Sequence, residues 1–466
     1  MSSKSPLVTI YIPCKDYGNF LKQAVDSVVR QAYENWELII IDEGSTDSTA
    51  KIASQMQKKY PNKINIITHK EPLGLQKLAN KVLSIANGKY MMRLDADDWL
   101  DESAIFLLVN KIEASDKAGL VYGNYYYTNP NGSILDVEFK NRLRDDDIVS
   151  QLPPHGACTM FRTRALKNVG GYSEDVNAQD GWDLWYKLAE RIGAINIQTP
   201  VFYYRQHGKS MSRDNDRLLQ ARSKIFEQIS SKLEGDYKPS TLAVIPVKES
   251  FPDFEGVPYQ QINGVSILEI AINNALSSKK IDNLVVSSES QSVLDFSKKL
   301  EDEDRVPSHI RLLRESDEKT QGVPIRDFMF IAGNKYAEMN NFYPDIIMFL
   351  SLHAINRKSE HIDNALNVLR ITESDSVVSV QEETEPMFNF GKNGLEIINR
   401  GRFQDLTFDK ERLYRFNGSI IATWYEVLKA DALFGEKIAH IEMSNLDSLQ
   451  IKTASMLNYF KNLKSK

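Results

Sequence analysis

The chain has 466 residues, 42% of them hydrophobic, with a net charge of −6 and two cysteines. That length exceeds what one core fills, so two domains are expected, and the mild, scattered charge excludes a dedicated nucleic-acid surface. No apolar run of about 18 residues is present to span a bilayer, residues 1–6 lack the apolar stretch of a secretory leader, and Cys14 and Cys158 alone cannot make a zinc site, so the chain reads as cytoplasmic. Its short basic segments are compatible with peripheral contact at the inner face of a membrane.

In chain order, Leu7 to Ile12 predicts a strand stopped by Pro13, and Phe20, Leu21, Ala24, Val25, Val28 and Val29 recur at helical spacing behind Asn19. Glu37 to Ile41 is the next strand, and Asp42 to Asp47 a polar loop that caps a helix through Tyr60. Ile64 to Ile67 predicts a third strand, Leu75 to Ala86 a helix closed by Asn87-Gly88, and Tyr90 to Leu94 a fourth strand. Strands and helices alternating in this way imply a mostly parallel sheet covered on both faces, with the loops after its strands on one rim. Loops centred on Asp16, Asp42 and Asp97 then converge. Leu120 to Tyr127 reads as a strand, Asn129 to Gly132 as a turn, Arg142 to Asp147 as a charged loop, and the residues after Asp180 as a helix. A helix through Leu233 is followed by a linker at Gly235, Asp236, Pro239 and Ser240. At Thr241 the pattern restarts, with strands at Leu242 to Val247, Asn283 to Ser287, Ile346 to Leu350 and Ser376 to Val380. Helices at Ile267 to Leu276, Val293 to Leu300 and His361 to Ile371 alternate with them. The chain is therefore α/β in two domains, residues 1–235 and 236–466.

The fourth strand delivers Asp95, Asp97 and Asp98 to its carboxyl end. Carboxylates this close repel unless a cation lies among them, and hard oxygen ligands suit Mg²⁺ or Mn²⁺. The plainer alternative is a solvated acidic turn capping the helix near Asp101.

Taken in order, Val8 to Pro13, Asp42-Glu43-Gly44-Ser45-Thr46-Asp47, Asp95-Ala96-Asp97-Asp98, Gly170-Gly171-Tyr172 and Gln179 to Leu188 resemble the motifs of family 2 glycosyltransferases of the GT-A fold, across residues 7–212. The resemblance implies an inverting transferase that takes a nucleotide-diphosphate sugar, UDP being favoured, and uses Mn²⁺ or Mg²⁺. The acceptor would be a hydroxyl of a glycan, a lipid-linked glycan or a protein in surface-glycan synthesis. Asp97 is the first metal ligand, with His207 beside it. Pro13, Asp16, Asp42, Asn80 and Asp95 are assigned to the nucleotide, Arg205 to a phosphate, and Asp180 is the base that takes the acceptor proton, with Asp183 as its substitute. Glu43 replaces a customary Asp, Ala79 replaces an Arg for which Lys77 is a stand-in, and Gln179 and Gly181 depart from the pattern around Asp180. Trp182, Trp185, Tyr203 and Tyr204 read as core aromatics.

The second domain resembles the cytidylyltransferases that make CMP-sugars, through Leu242 to Pro246, Ile262 to Glu269, Leu284 to Ser288, Arg314, Leu350 to Arg357 and Asn417-Gly418-Ser419. This gives it a Rossmann-like nucleotidyltransferase fold. The glycine-rich basic loop is missing: Val247-Lys248-Glu249-Ser250-Phe251-Pro252-Asp253 stands in its place. Gln450-Ile451-Lys452 stands where paired aspartates would bind metal, and a protonated Lys is no ligand. The domain is expected to be catalytically degenerate and to serve as a binding module, with self-association through it left open. A bifunctional enzyme and a non-catalytic assembly protein are the competing readings.

Overall fold

In the computed structural model, the residues described are 5–139, 155–176, 178, 180–207, 215–233, 238–314, 324–383, 385–392, 394–399 and 413–463. The loop Arg142 to Asp147, Gln179, and the linker residues Gly235 and Asp236 lie outside them. Two compact units form, Met1–Ile225 with Glu385–Glu411, and Phe226–Thr384 with Arg412–Lys466. The division falls inside a helix rather than at 235/236. That helix, Asn215–Leu233, is continuous, and its early residues bind the first unit: Lys224 Nζ donates to Asp175 O, 2.7 Å, and Arg222 lies over the Trp182 ring. A hairpin of Met387–Gly391 and Gly394–Asn399 also belongs to the first unit.

The first unit holds β1 (Val8–Cys14), α1 (Leu21–Val29), β2 (Trp36–Asp42), α2 (Thr49–Lys59), β3 (Ile64–Thr68), α3 (Leu75–Ile85), β4 (Tyr90–Arg93), β5 (Trp99–Leu100) and α4 (Ala104–Glu113). Then come β6 (Leu120–Thr128), β7 (Ile134–Glu138), β8 (Met160–Arg162), α5 (Thr163–Asn168), α6 (Asp180–Ile192), β9 (Ala194–Arg205) and α7 (Asn215–Leu233). The sheet runs β3-β2-β1-β4-β8-β6-β9-β5, with β7 beside β6. Its first four strands are parallel, as expected for continuous apolar runs buried on both faces. One core packs Ile10, Ile12, Leu38 and Met92 beneath α1 and α4, and the other packs Tyr11, Ile39 and Met91 beneath α3 and α6. The remainder is mixed: β8 is antiparallel to β4 and β6, β9 parallel to β6, and β5 antiparallel to β9.

Pro13 does not stop β1. The strand continues to Cys14, paired with Asp42, because pairing to β4 ends at Tyr11 opposite Arg93 and no ladder bond is asked of the proline nitrogen on that side. Tyr203 and Tyr204, read as core aromatics, lie near the end of the twelve-residue strand β9.

In the second unit, strands Ile310–Leu313, Asn283–Ser288, Thr241–Val247 and Ile346–Leu350 lie parallel in that order. Leu413–Trp424 runs antiparallel between Ile346–Leu350 and Ser376–Glu383. The helix Ile267–Leu276 begins on a reciprocal cap, Ser266 Oγ accepting from Glu269 N and Glu269 reaching back to Ser266 N.

Candidate functional site

Parallel pairing sets the site. With Cys14 opposite Asp42, and Tyr11 opposite Arg93, the loops after β1, β2 and β4 leave the sheet together. Asp16, at φ 58°, ties the first two loops: its N–H donates to Ser45 Oγ at 2.9 Å, and its Oδ1 accepts from Thr46 N at 2.7 Å. The Thr46 N–H holds its carboxyl below the usual range. Asp42, 3% exposed, accepts from Ser45 N at 3.0 Å and fixes the turn. Glu43, the unusual residue here, accepts from the N–H groups of Leu73 and Gly74 and so anchors the start of α3.

After β4 the chain turns sharply, Asp98 N donating to Asp95 O. Asp95 pairs with Arg93 Nε at 2.9 Å. Asp97 Oδ2 stands 2.8 Å from His207 Nε2, the two expected metal ligands joined across 110 residues. Phe20 stacks on the His207 ring at 5.4 Å, and Tyr17 meets its edge. Burial, with Asp95 beside it, pushes the Asp97 carboxyl up. Asp98 is pushed up further by burial and by its two acidic neighbours. Its Oδ1 accepts from Arg205 N, and its Oδ2 has no hydrogen-bond partner among the described residues.

Arg205, expected at a phosphate, is spent inside the protein. Its Nε donates to Asp97 O (2.8 Å), one Nη to Pro130 O (2.6 Å) and the other to Gln23 Oε1 (2.7 Å), while its guanidinium packs over Phe20 and Trp99. Burial lowers its pKa. Asn80, expected at the nucleotide, instead brackets the loop before α6: its Nδ2 donates to Tyr172 O and Glu174 Oε1, and its Oδ1 accepts from Tyr172 N. Asp183, the substitute base, is saturated by Ser173 N, Ser173 Oγ and Lys187 Nζ. Asp180 is the first residue of α6, and its side chain lies outside the described residues. Pro13 lies at the end of β1, Ala79 is buried, and Lys77 is exposed. Burial pushes the thiol of Cys14 up, and Cys158 likewise, so neither is an activated nucleophile.

Sequence reading missed Gln23, Phe20 and Pro130. Phe20 carried only a helical-core signal, and nothing in a sequence marks a glutamine or a proline carbonyl as an arginine's acceptor.

The sequence profile of Glycosyl transferase family 2 matches residues 9–170, which takes in the rim loops and Gly170. The N-terminal half carries a family 2 glycosyltransferase domain. A chondroitin synthase and a hyaluronan synthase of Pasteurella multocida are each 28% identical to this chain over 213 residues, 45% of it. The chain spans only about a fifth of the length of these relatives, 22% and 21%. A mannosyltransferase of Pyrobaculum calidifontis, solved with GDP-Man and Mn²⁺, is similar at 20% identity and a TM-score of 0.39, over 50% of this chain and 66% of that one. Asp42, Asp97 and Asn80 fall inside the family 2 match, while Asp180, Arg205 and His207 lie beyond it.

Proposed function

We propose that the family 2 domain transfers a sugar, with inversion, from a nucleotide-diphosphate donor to a hydroxyl of a glycan, lipid-linked or protein acceptor, and that UDP is the nucleotide. The observation that carries this is the Asp97–His207 pair on the same rim as Asp42. A carboxylate and an imidazole bound to adjacent positions of one Mg²⁺ or Mn²⁺ at about 2.1 Å would stand about 3 Å apart. Among the described residues no three His, Cys, Asp or Glu side chains are grouped for a metal, so Asp97 and His207 would share an ion with substrate oxygens and water. When bound, the ion supplies charge stabilisation to the departing diphosphate.

The chain's own residues do the rest. Asp42 orients the nucleoside from a buried, turn-locked position. Arg205 is a positioning residue that fixes the Asp97 backbone. Asp180, at the start of α6, takes the acceptor proton. The second unit binds without synthesising: Gln450 Nε2 donates to Asn417 O, and Phe251, from the loop that replaces a phosphate cradle, packs against His353 at 5.3 Å. Among the described residues no helix is long and apolar enough to cross a membrane.

The test is radiolabelled sugar transfer by the full chain from UDP- and GDP-sugars, with and without Mn²⁺, beside the Asp180→Asn variant. Metal-dependent turnover that falls about 10²–10⁴-fold in the variant supports the reading. Wild-type turnover by the variant removes Asp180 as base. Pyrophosphate release from CTP and a 2-keto sugar acid would replace the binding role of the second unit with a second activity.

A further inference from the structure

Every polar group of Tyr17 is engaged except its hydroxyl. Its N–H donates to Thr49 Oγ1 at 3.0 Å, and its carbonyl accepts from the N–H groups of Phe20 and Leu21, each at 2.9 Å. The next residue locks the backbone further: Gly18 N donates to Asp47 Oδ2 at 2.8 Å, and a Cβ at that glycine would run into Ser48 Oγ. The ring is held as well, tilted on Phe20 at 6.5 Å and edge-on to His207 at 6.3 Å. The charges that act on the hydroxyl are those of the rim carboxylates, Asp97 first, then Asp95 and Asp98. No described residue hydrogen-bonds it, and the side chain is only partly buried, so a ligand can reach it. A donor fixed from all sides and left unused among carboxylates is placed for an anion that arrives with a cation between.

We infer that the Tyr17 hydroxyl donates a hydrogen bond to the diphosphate of the sugar donor, an assignment that rests on the nucleotide-sugar reading of the rim. Arg205, the side chain expected at a phosphate, has its guanidinium engaged by Asp97 O, Pro130 O and Gln23 Oε1. Tyr17 stands on the same rim and offers a neutral hydrogen in place of that charge, since a phenol keeps its proton at neutral pH. A cation shared by Asp97 and His207 would bring phosphate oxygens among the carboxylates, which can only repel them, whereas the hydroxyl can donate to them. The hydroxyl and the metal pair also form one packed unit: the Tyr17 ring meets the His207 ring, and His207 Nε2 stands 2.8 Å from Asp97 Oδ2. The hydrogen bond is therefore set in place before the donor binds, at no cost in ordering the side chain.

The experiment is calorimetry on the full chain with Mg²⁺, titrating UDP, GDP and inorganic pyrophosphate into the wild type and Tyr17→Phe, with uridine binding followed by saturation-transfer NMR. Phenylalanine keeps the ring contacts with Phe20 and His207 and removes the hydroxyl alone. Binding of pyrophosphate, and of the nucleoside diphosphate the wild type takes, is expected to weaken about tenfold or more in the variant, as for a hydrogen bond to a charged group. Uridine binding and the melting temperature without ligand should stay as in the wild type. Unchanged affinity for the diphosphates overturns the inference. A variant that melts lower without ligand, or fails to fold, overturns it too, because the hydroxyl would then serve the protein's own structure. Pyrophosphate binding that depends on Tyr17, in a wild type that binds neither nucleotide nor uridine, would uphold the hydrogen bond and count against the nucleotide-sugar reading alone. A wild type that binds none of the diphosphates overturns both.

Discussion

Replacing Arg205 by Lys separates a loop clamp from a phosphate ligand. Lysine keeps the charge and its contacts with Phe20 and Trp99, but one ammonium cannot reach Asp97 O, Pro130 O and Gln23 Oε1 together. Two hydrogen bonds from a charged donor are lost, and their acceptors are only partly buried and can rehydrate. The expected cost is about 2–3 kcal/mol, near the lower end for such bonds, which lowers the melting temperature of a unit this size by about 5–10 °C. The assay is thermal unfolding with and without UDP and Mn²⁺, paired with donor KM and kcat. The clamp reading expects both the loss of stability and a weaker ligand-induced shift, because the Asp97 loop has loosened. An unchanged melting temperature with a large rise in donor KM would refute it and return Arg205 to the diphosphate.

Asp97→Asn and His207→Ala should each abolish the Mn²⁺-dependent part of UDP stabilisation while leaving any metal-free UDP shift in place; calorimetry with and without chelator reads this directly. Gly171 has φ +72°, and a Cβ there would come 2.4 Å from Asn80 Oδ1, so Gly171→Ala should cost about 1–3 kcal/mol, and adding Asn80→Ser should recover only the part due to the clash. In the second unit, burial beside Lys358 and Arg357 holds His361 down to about 4 although Asp447 opposes this. Because its folded pKa lies below the unfolded value, the unfolded chain binds more protons between about 4 and 6.5, and stability falls as pH falls through that window. His361→Gln can still accept the Lys358 N–H and should flatten the denaturation slope there by up to about 1.4 kcal/mol per pH unit; an unchanged slope would locate the titration elsewhere.

The parallel half of the first sheet was legible because buried strands announce themselves as continuous apolar runs, and three polar loops on one rim followed from topology alone. The antiparallel portion was not, apart from β6, expected at Leu120 to Tyr127 and found at Leu120–Thr128. β5 and β8 have two and three residues, too few for any period, and β9 mixes polar and aromatic residues because it borders the site. Asp97 and His207 were legible as a pair through chemistry and motif order. Asn80 and Arg205 illustrate the limit of carrying roles over by motif: a polar side chain near a ligand site is equally able to hold the loops that build it, and only the count of donors already engaged distinguishes the two.

The hairpin Met387–Asn399 belongs to the first unit although most of the second unit's chain precedes it. A ribosome therefore delivers the rim loops and β9 long before the last piece of their own unit exists. The second unit waits as well, since Leu413–Trp424, which lies between two of its strands, comes later still. A chain cut after α7 therefore carries the sheet and both cores of the first unit, all built from residues up to Arg205, without the hairpin, while the second sheet closes only once Leu413–Trp424 is made.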